Sequence, residues 1–159
     1  MSLQYRDTIS PALKKLAAGI QNKKPILKAM GAELKAITTE AFSDPGLRPA
    51  PWKAKRDGSP ATLRKNQVLV KSIDIVELTN SSVTVGTDRI YAAIHQLGGI
   101  IRPKNAKSLV FRAGGKTIFA KQVTIPARPF FPFIGGKMID RARERIRLVA
   151  EAKIKSLVR

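Results

Sequence analysis

The chain has 159 residues and a mass of 17.4 kDa, the length of one ordinary domain, and its 43% hydrophobic content is enough for a core without staples. Thirty lysines and arginines against eleven carboxylates leave a formal net charge of +19, a self-repulsion that points to a polyanionic neighbour. The absence of cysteine excludes disulfides, thiolate nucleophiles and cysteine-held metal centres, and the single histidine, His95, excludes two-imidazole sites, so no metal and no cofactor is expected.

The first stretch reads as two helices joined at Lys23, Lys24 and Pro25. Ser10 and Pro11 form an N-cap and N1 pair, and Leu13, Leu16, Ala17 and Ile20 share a helical face. A second helix is predicted from Pro25, with Leu27, Met30, Leu34, Ile37 and Ala41 stepping by three or four. Residues 43–66 follow as a long loop with four prolines and two glycines, a length that in a compact domain tends to carry function. Trp52 sits in its middle, where burying the indole either pins the loop to the core or anchors a partner.

Strand patterns come next. Ser72 to Leu78 alternates imperfectly, Thr79 to Ser82 supplies a turn, and Val83 and Val85 alternate before Gly86, which together predict a hairpin. DRIYAAIHQLGG, Asp88 to Gly99, predicts a short helix with Asp88 as its N-cap, Tyr91, Ile94 and Leu97 as its buried face, and Gly98 and Gly99 as its stop. A second hairpin is predicted from Ser108–Phe111 and Lys116–Ala120, turning over Arg112 to Gly115. From about Gly136 a last helix carries an apolar stripe through Ile139, Ala142, Ile146, Val149, Ala150, Ile154 and Leu157.

This order predicts a single α+β domain over residues 1–159. Its antiparallel sheet of about four strands is packed by the N-terminal helices and the long C-terminal helix. No apolar run approaches the roughly 18 residues of a membrane span and no apolar signal core is present, so a cytoplasmic protein without a membrane partner is expected.

Catalytic patterns are missing. The glycine doublets lack the spacing of a phosphate loop, Asp74 and Glu77 point to opposite faces of a strand, and nothing local makes a triad of His95 with Asp88 or Ser81. Charge is densest from Lys137 to Arg159, where eight cations meet three carboxylates. Arg141, Arg143, Arg145 and Arg147 are read as polyanion-facing, in contact with phosphates rather than base edges. The segment Ile125 to Phe133 holds Pro126, Pro129 and Pro132, which enforce extended backbone, and three phenylalanines that need cover. They either fold onto the start of the last helix or enter a neighbouring subunit.

Two segments together, YAAIHQLGG at Tyr91 to Gly99 and IPARPFF at Ile125 to Phe131, resemble the phage virion morphogenesis family, the tail-completion proteins of Mu-like tailed phages. The order upstream is also similar: Phe42, Asp44, Pro45 and Gly46, then Trp52, then Thr62 to Lys65, then Val83 to Thr87. Where family members often show a glycine before the Ser-Ile strand, this chain has Asn66 to Ile73 without one.

The resemblance implies a non-enzymatic structural protein acting in tail completion or at the head–tail junction of a phage or prophage, as a homo-oligomeric ring through which DNA passes. It implies other tail or neck proteins as partners, and residence in the host cytoplasm during assembly and then in the virion. Trp52, Arg128, Phe130 and Phe131 are its expected assembly interface, with Arg128 offered to a carboxylate of a neighbour. The competing expectation, from charge alone, is a free nucleic-acid-binding protein without sequence preference.

Overall fold

Helix α1, Lys24–Glu40, begins where Pro25 supplies a preset φ at a position whose N–H needs no partner. The computed structural model describes residues 21–64 and 66–158, together with Lys14 and Ala17. The expected helix opening at Ser10 and Pro11, with Leu13, Leu16 and Ile20, therefore lies outside the described residues. In chain order there follow a 3-10 turn at Pro45–Leu47, α2 at Val68–Lys71, β1 at Asp74–Leu78, β2 at Val83–Gly86 and α3 at Ala92–Leu97. Then come β3 at Gly99–Ile101, β4 at Leu109–Ala113, β5 at Lys116–Ala120, β6 at Val123–Ile125, β7 at Phe133–Ile134, β8 at Lys137–Met138 and α4 at Asp140–Val158.

The fold is α+β, but among the described residues the expected single sheet is replaced by four antiparallel two-stranded ribbons, β1–β2, β3–β6, β4–β5 and β7–β8. In the first, the register slips between Ile75 and Glu77, leaving Val76 as a bulge. That bulge explains the imperfect alternation of the sequence there, because an extra residue shifts the side-chain period. The β3–β6 and β4–β5 ribbons belong to one long hairpin. Seven residues separate β3 from β4 while only Lys121 and Gln122 separate β5 from β6, so the two ladders cannot run on in one register. Gly114 and Gly115, both at positive φ, make the tight turn at its tip.

Among the described residues two apolar clusters hold the fold together. In the first, α1 and α4 bury Ile37, Ala41, Ala142 and Ile146 against Leu47 of the 3-10 turn, with Met30, Leu34, Met138 and Ile139 packed around them. The predicted stripes of both helices are thus the ones that meet. α1 also crosses the β1–β2 ribbon at Gly31, where a Cβ would lie 2.5 Å from Cγ2 of Val83. The second cluster joins Phe42, Leu69, Ile73, Ala92 and Phe130, with Trp52 and Phe131 at its margin.

The short helix α3 differs from its predicted orientation. Ala92 is its buried residue, whereas Tyr91 is 39% and Leu97 78% exposed. Asp88 makes no cap and instead pairs with Arg89 at 2.6 Å. The stop at Gly98, φ 71°, is as expected, and a side chain there would meet the backbone nitrogen of Ala127 at 2.7 Å.

Candidate assembly site and the basic surfaces

The proline-rich segment after β6 has few partners of its own, since prolines at 126, 129 and 132 remove donors and keep the backbone extended. Its remaining amides are held from outside. The Arg128 N–H donates to the His95 carbonyl at 2.7 Å, and the Gln96 side-chain oxygen accepts from the N–H groups of Phe130 and Phe131 at 2.9 and 3.0 Å. One glutamine amide therefore fixes both phenylalanines, a role that sequence reasoning missed. Its signal was a glutamine on α3 placed to meet a segment that lacks a strand neighbour.

The long loop closes over the same segment. Trp52 Nε1 donates to the Pro129 carbonyl at 2.7 Å, and its ring meets Phe42 edge-on at 5.7 Å. Arg48 stacks on the Trp52 face at 3.8 Å while donating to the Ala41 and Phe42 carbonyls, so it ties the loop to the end of α1. The Arg128 guanidinium donates to the carbonyls of Lys53 and Ala54 at 2.9 and 3.0 Å and is 9% exposed. Trp52, Arg128, Phe130 and Phe131 are thus brought together as one knot.

Within the knot their exposures differ. Phe130 has no exposed surface and contacts Phe42 and Phe131 at ring separations of 5.2 and 5.1 Å. Its ring faces the second cluster rather than the start of α4. Phe131 is half-buried and floors an open groove with Val85, Ile90, Ala93 and Leu97. Ile90, 97% exposed, and Leu97 stand on the rim of that groove.

His95 lies under the knot. Its Nδ1 is buried without a hydrogen-bond partner, and burial first and the Arg128 charge second push its pKa below the ordinary histidine value. Burial thus favours its neutral form, and among the described residues nothing around it forms a relay.

The four arginines of α4 are each neutralised within the chain. Arg145 donates to Glu33 at 2.7 Å and to Glu40 at 2.5 Å, both on α1, so this side chain clamps two helices together rather than facing outward. Its hydrogen bonds raise the arginine pKa further and lower that of Glu40. Arg147 pairs with Glu144 and Glu151, Arg143 with Asp140, and Arg141 with Asp44 at 3.3 Å. The polyanion-facing expectation for these residues meets a physical obstacle: a phosphate must first displace a carboxylate.

Among the described residues no helix is long and apolar enough to cross a membrane. The sequence profile of the phage virion morphogenesis family matches residues 6–154. The chain is also 34% identical over 123 residues, 77% of its own length and 75% of the relative's, to Mu-like prophage FluMu G protein 2 of Haemophilus influenzae. No solved structure matches the chain with significance. The segments that form the knot, YAAIHQLGG and IPARPFF, fall inside the matched region, and on this coverage the chain belongs to the phage virion morphogenesis family.

Proposed function

We propose that within virion assembly this chain is a non-enzymatic structural subunit that completes the tail or closes the head–tail junction. It acts as a homo-oligomeric ring beside other tail or neck proteins, first in the host cytoplasm and then in the virion. The observation that carries this reading is the family match over residues 6–154.

An open apolar groove supports reading one face of the knot as a subunit contact. Trp52, Arg128 and Phe130 fix the knot from beneath, and Phe131 with the exposed Ile90 and Leu97 offers an apolar groove whose walls are set before a neighbour arrives. Preorganisation of this kind lowers the ordering cost of association. A free nucleic-acid-binding protein has no use for such a groove.

Electron microscopy of a lysate from a phage lacking this gene tests the proposal. Unjoined heads and tails, or tails of abnormal length, are expected, and normal particles would overturn it. The contact surface is tested separately by Leu97→Lys, which should reduce any oligomer of the purified protein while leaving its melting temperature within a few degrees, because the side chain is already exposed.

A further inference from the structure

The charge of the molecule is unevenly committed. From Arg89 to Ile139 the chain has nine lysines and arginines and no carboxylate, and this stretch contains both ribbons of the long hairpin. Six of the nine, Arg102, Lys104, Lys107, Arg112, Lys116 and Lys121, are exposed on or between those ribbons. Among the described residues the ion pairs involve Lys35, Arg89 and the α4 arginines, and none of these six. The six hairpin cations are thus unpaired among the described residues, whereas Arg141, Arg143, Arg145 and Arg147 of the last helix are each paired within the chain.

Its arrangement matters as much as its amount. In the β4–β5 register Arg112 faces Thr117 while Lys116 faces Ala113, so the tip carries cations on opposite faces of the ribbon. At the bend, Arg102 donates to the Gln122 side-chain oxygen at 3.3 Å. The distal ribbon packs chiefly on itself, a marginal arrangement for two strands in water, and its Val110 and Phe119 are 60% and 69% exposed as a cross-strand pair.

We propose that this hairpin is a duplex-DNA-binding arm that inserts between two phosphate backbones without reading sequence. A second copy of the chain is a poor occupant, because eight of its eleven carboxylates are already engaged in its own ion pairs. A flat acidic protein surface would meet the cations of one face only. The major groove admits a two-stranded ribbon and lines both its sides with phosphate, one charge per roughly 1.7 Å of axis. This inference names a partner for the ring proposed above but does not depend on ring formation.

The test is binding of the full chain to a labelled 30-base-pair duplex, in two unrelated sequences, between 50 and 200 mM salt. Six phosphate contacts predict a slope of log affinity on log salt of about −5 and a loss of roughly a thousandfold across that range. Replacing the six hairpin cations with glutamine should weaken binding at least tenfold at low salt and flatten the slope. Arg112→Gln with Lys116→Gln alone should reduce the slope by about 2, which keeps the test usable if the sixfold variant does not fold.

A larger loss from Arg143→Gln with Arg147→Gln would overturn the proposal, as would sequence-selective binding. So would tighter binding of the arm to poly-glutamate than to the duplex, which would assign it to an acidic protein. The knockout phenotype does not enter this measurement, so an arm without DNA affinity overturns this inference and leaves the assembly reading standing.

Discussion

Two residues sit in conformations or surroundings that their chemistry resists, and each makes a prediction. Gln67 adopts φ 54° ahead of α2, in the left-handed region that costs a residue with a Cβ about 1 kcal/mol or more. Gln67 lies in the Asn66 to Ile73 approach to the Ser-Ile strand, a stretch that has no glycine to take this conformation. Gln67→Gly is expected to stabilise the fold by roughly 1 kcal/mol in chemical denaturation, since glycine reaches this region without strain. His95 gives a pH dependence. Its pKa is lowered in the folded state, so the unfolded chain binds the proton first, and stability is full above the ordinary value of 6.5 and declines as pH falls below it. The paired carboxylates Glu40, Asp74 and Glu144 have lowered pKa values and titrate in more acidic solution, leaving the window between pH 7.5 and 5.5 to the imidazole. The melting temperature should fall across that window, and the fall should shrink in His95→Gln. An equal fall in the variant would assign it to another group.

Among the elements, α1 crosses the β1–β2 ribbon closely, and glycine permits it. A Cβ at Gly31 would lie 2.5 Å from Val83 Cγ2 and 3.2 Å from Ile75 Cδ1, so Gly31→Ala overpacks the crossing of α1 with the β1–β2 ribbon. Overpacking costs about 1–3 kcal/mol, offset by up to about 1 kcal/mol of helix propensity, for a net loss of roughly 1 kcal/mol. Val83→Ala removes the clashing methyl groups. In a double-mutant cycle the pair should therefore be less destabilised than the sum of the singles, by roughly 1 kcal/mol, and strict additivity would place the contact elsewhere. The sequence showed what local periodicity encodes: α1 and α4 with their stripes, the β1–β2 and β4–β5 hairpins with their turns, and the stop at Gly98. It did not show that Gly31 is a crossing point, because a lone glycine in a helical pattern looks the same whether or not a strand passes over it. The orientation of α3 was hidden for a related reason. Tyr91 and Leu97 form the more apolar face, but the Pro-Phe segment presents bare N–H groups, and satisfying them turns Gln96 inward instead. The sequence singled out Trp52, Arg128, Phe130 and Phe131, but not that Trp52 donates to the Pro129 carbonyl across the chain. Which of them stays open to a neighbour depends on contacts made across the chain.

For the whole molecule the charge sets a conflict that salt should expose. Each copy carries +19, so bringing copies together opposes a long-range repulsion, and the apolar groove around Phe131, Ile90 and Leu97 must offset it. Eight carboxylates are used inside the subunit, which leaves few to soften the repulsion between neighbours. Repulsion between exposed charges is screened over about 10 Å at 0.1 M salt and over about 3 Å at 1 M, whereas apolar burial is not weakened by salt. Self-association should thus strengthen as salt rises. Binding of DNA through the hairpin should weaken over the same range, since each phosphate contact is exchanged for released counterions. Sedimentation velocity of the protein alone at 50 and 500 mM salt is expected to show a larger share of oligomer at the higher concentration, with Leu97→Lys shifting both towards monomer. Adding a short duplex at 50 mM salt should recover oligomer by neutralising the arms, and the Arg112→Gln, Lys116→Gln variant should need less salt to reach the same state but respond less to added DNA. An oligomer that dissociates as salt is raised would mean that ion pairs rather than the apolar groove hold the subunits together.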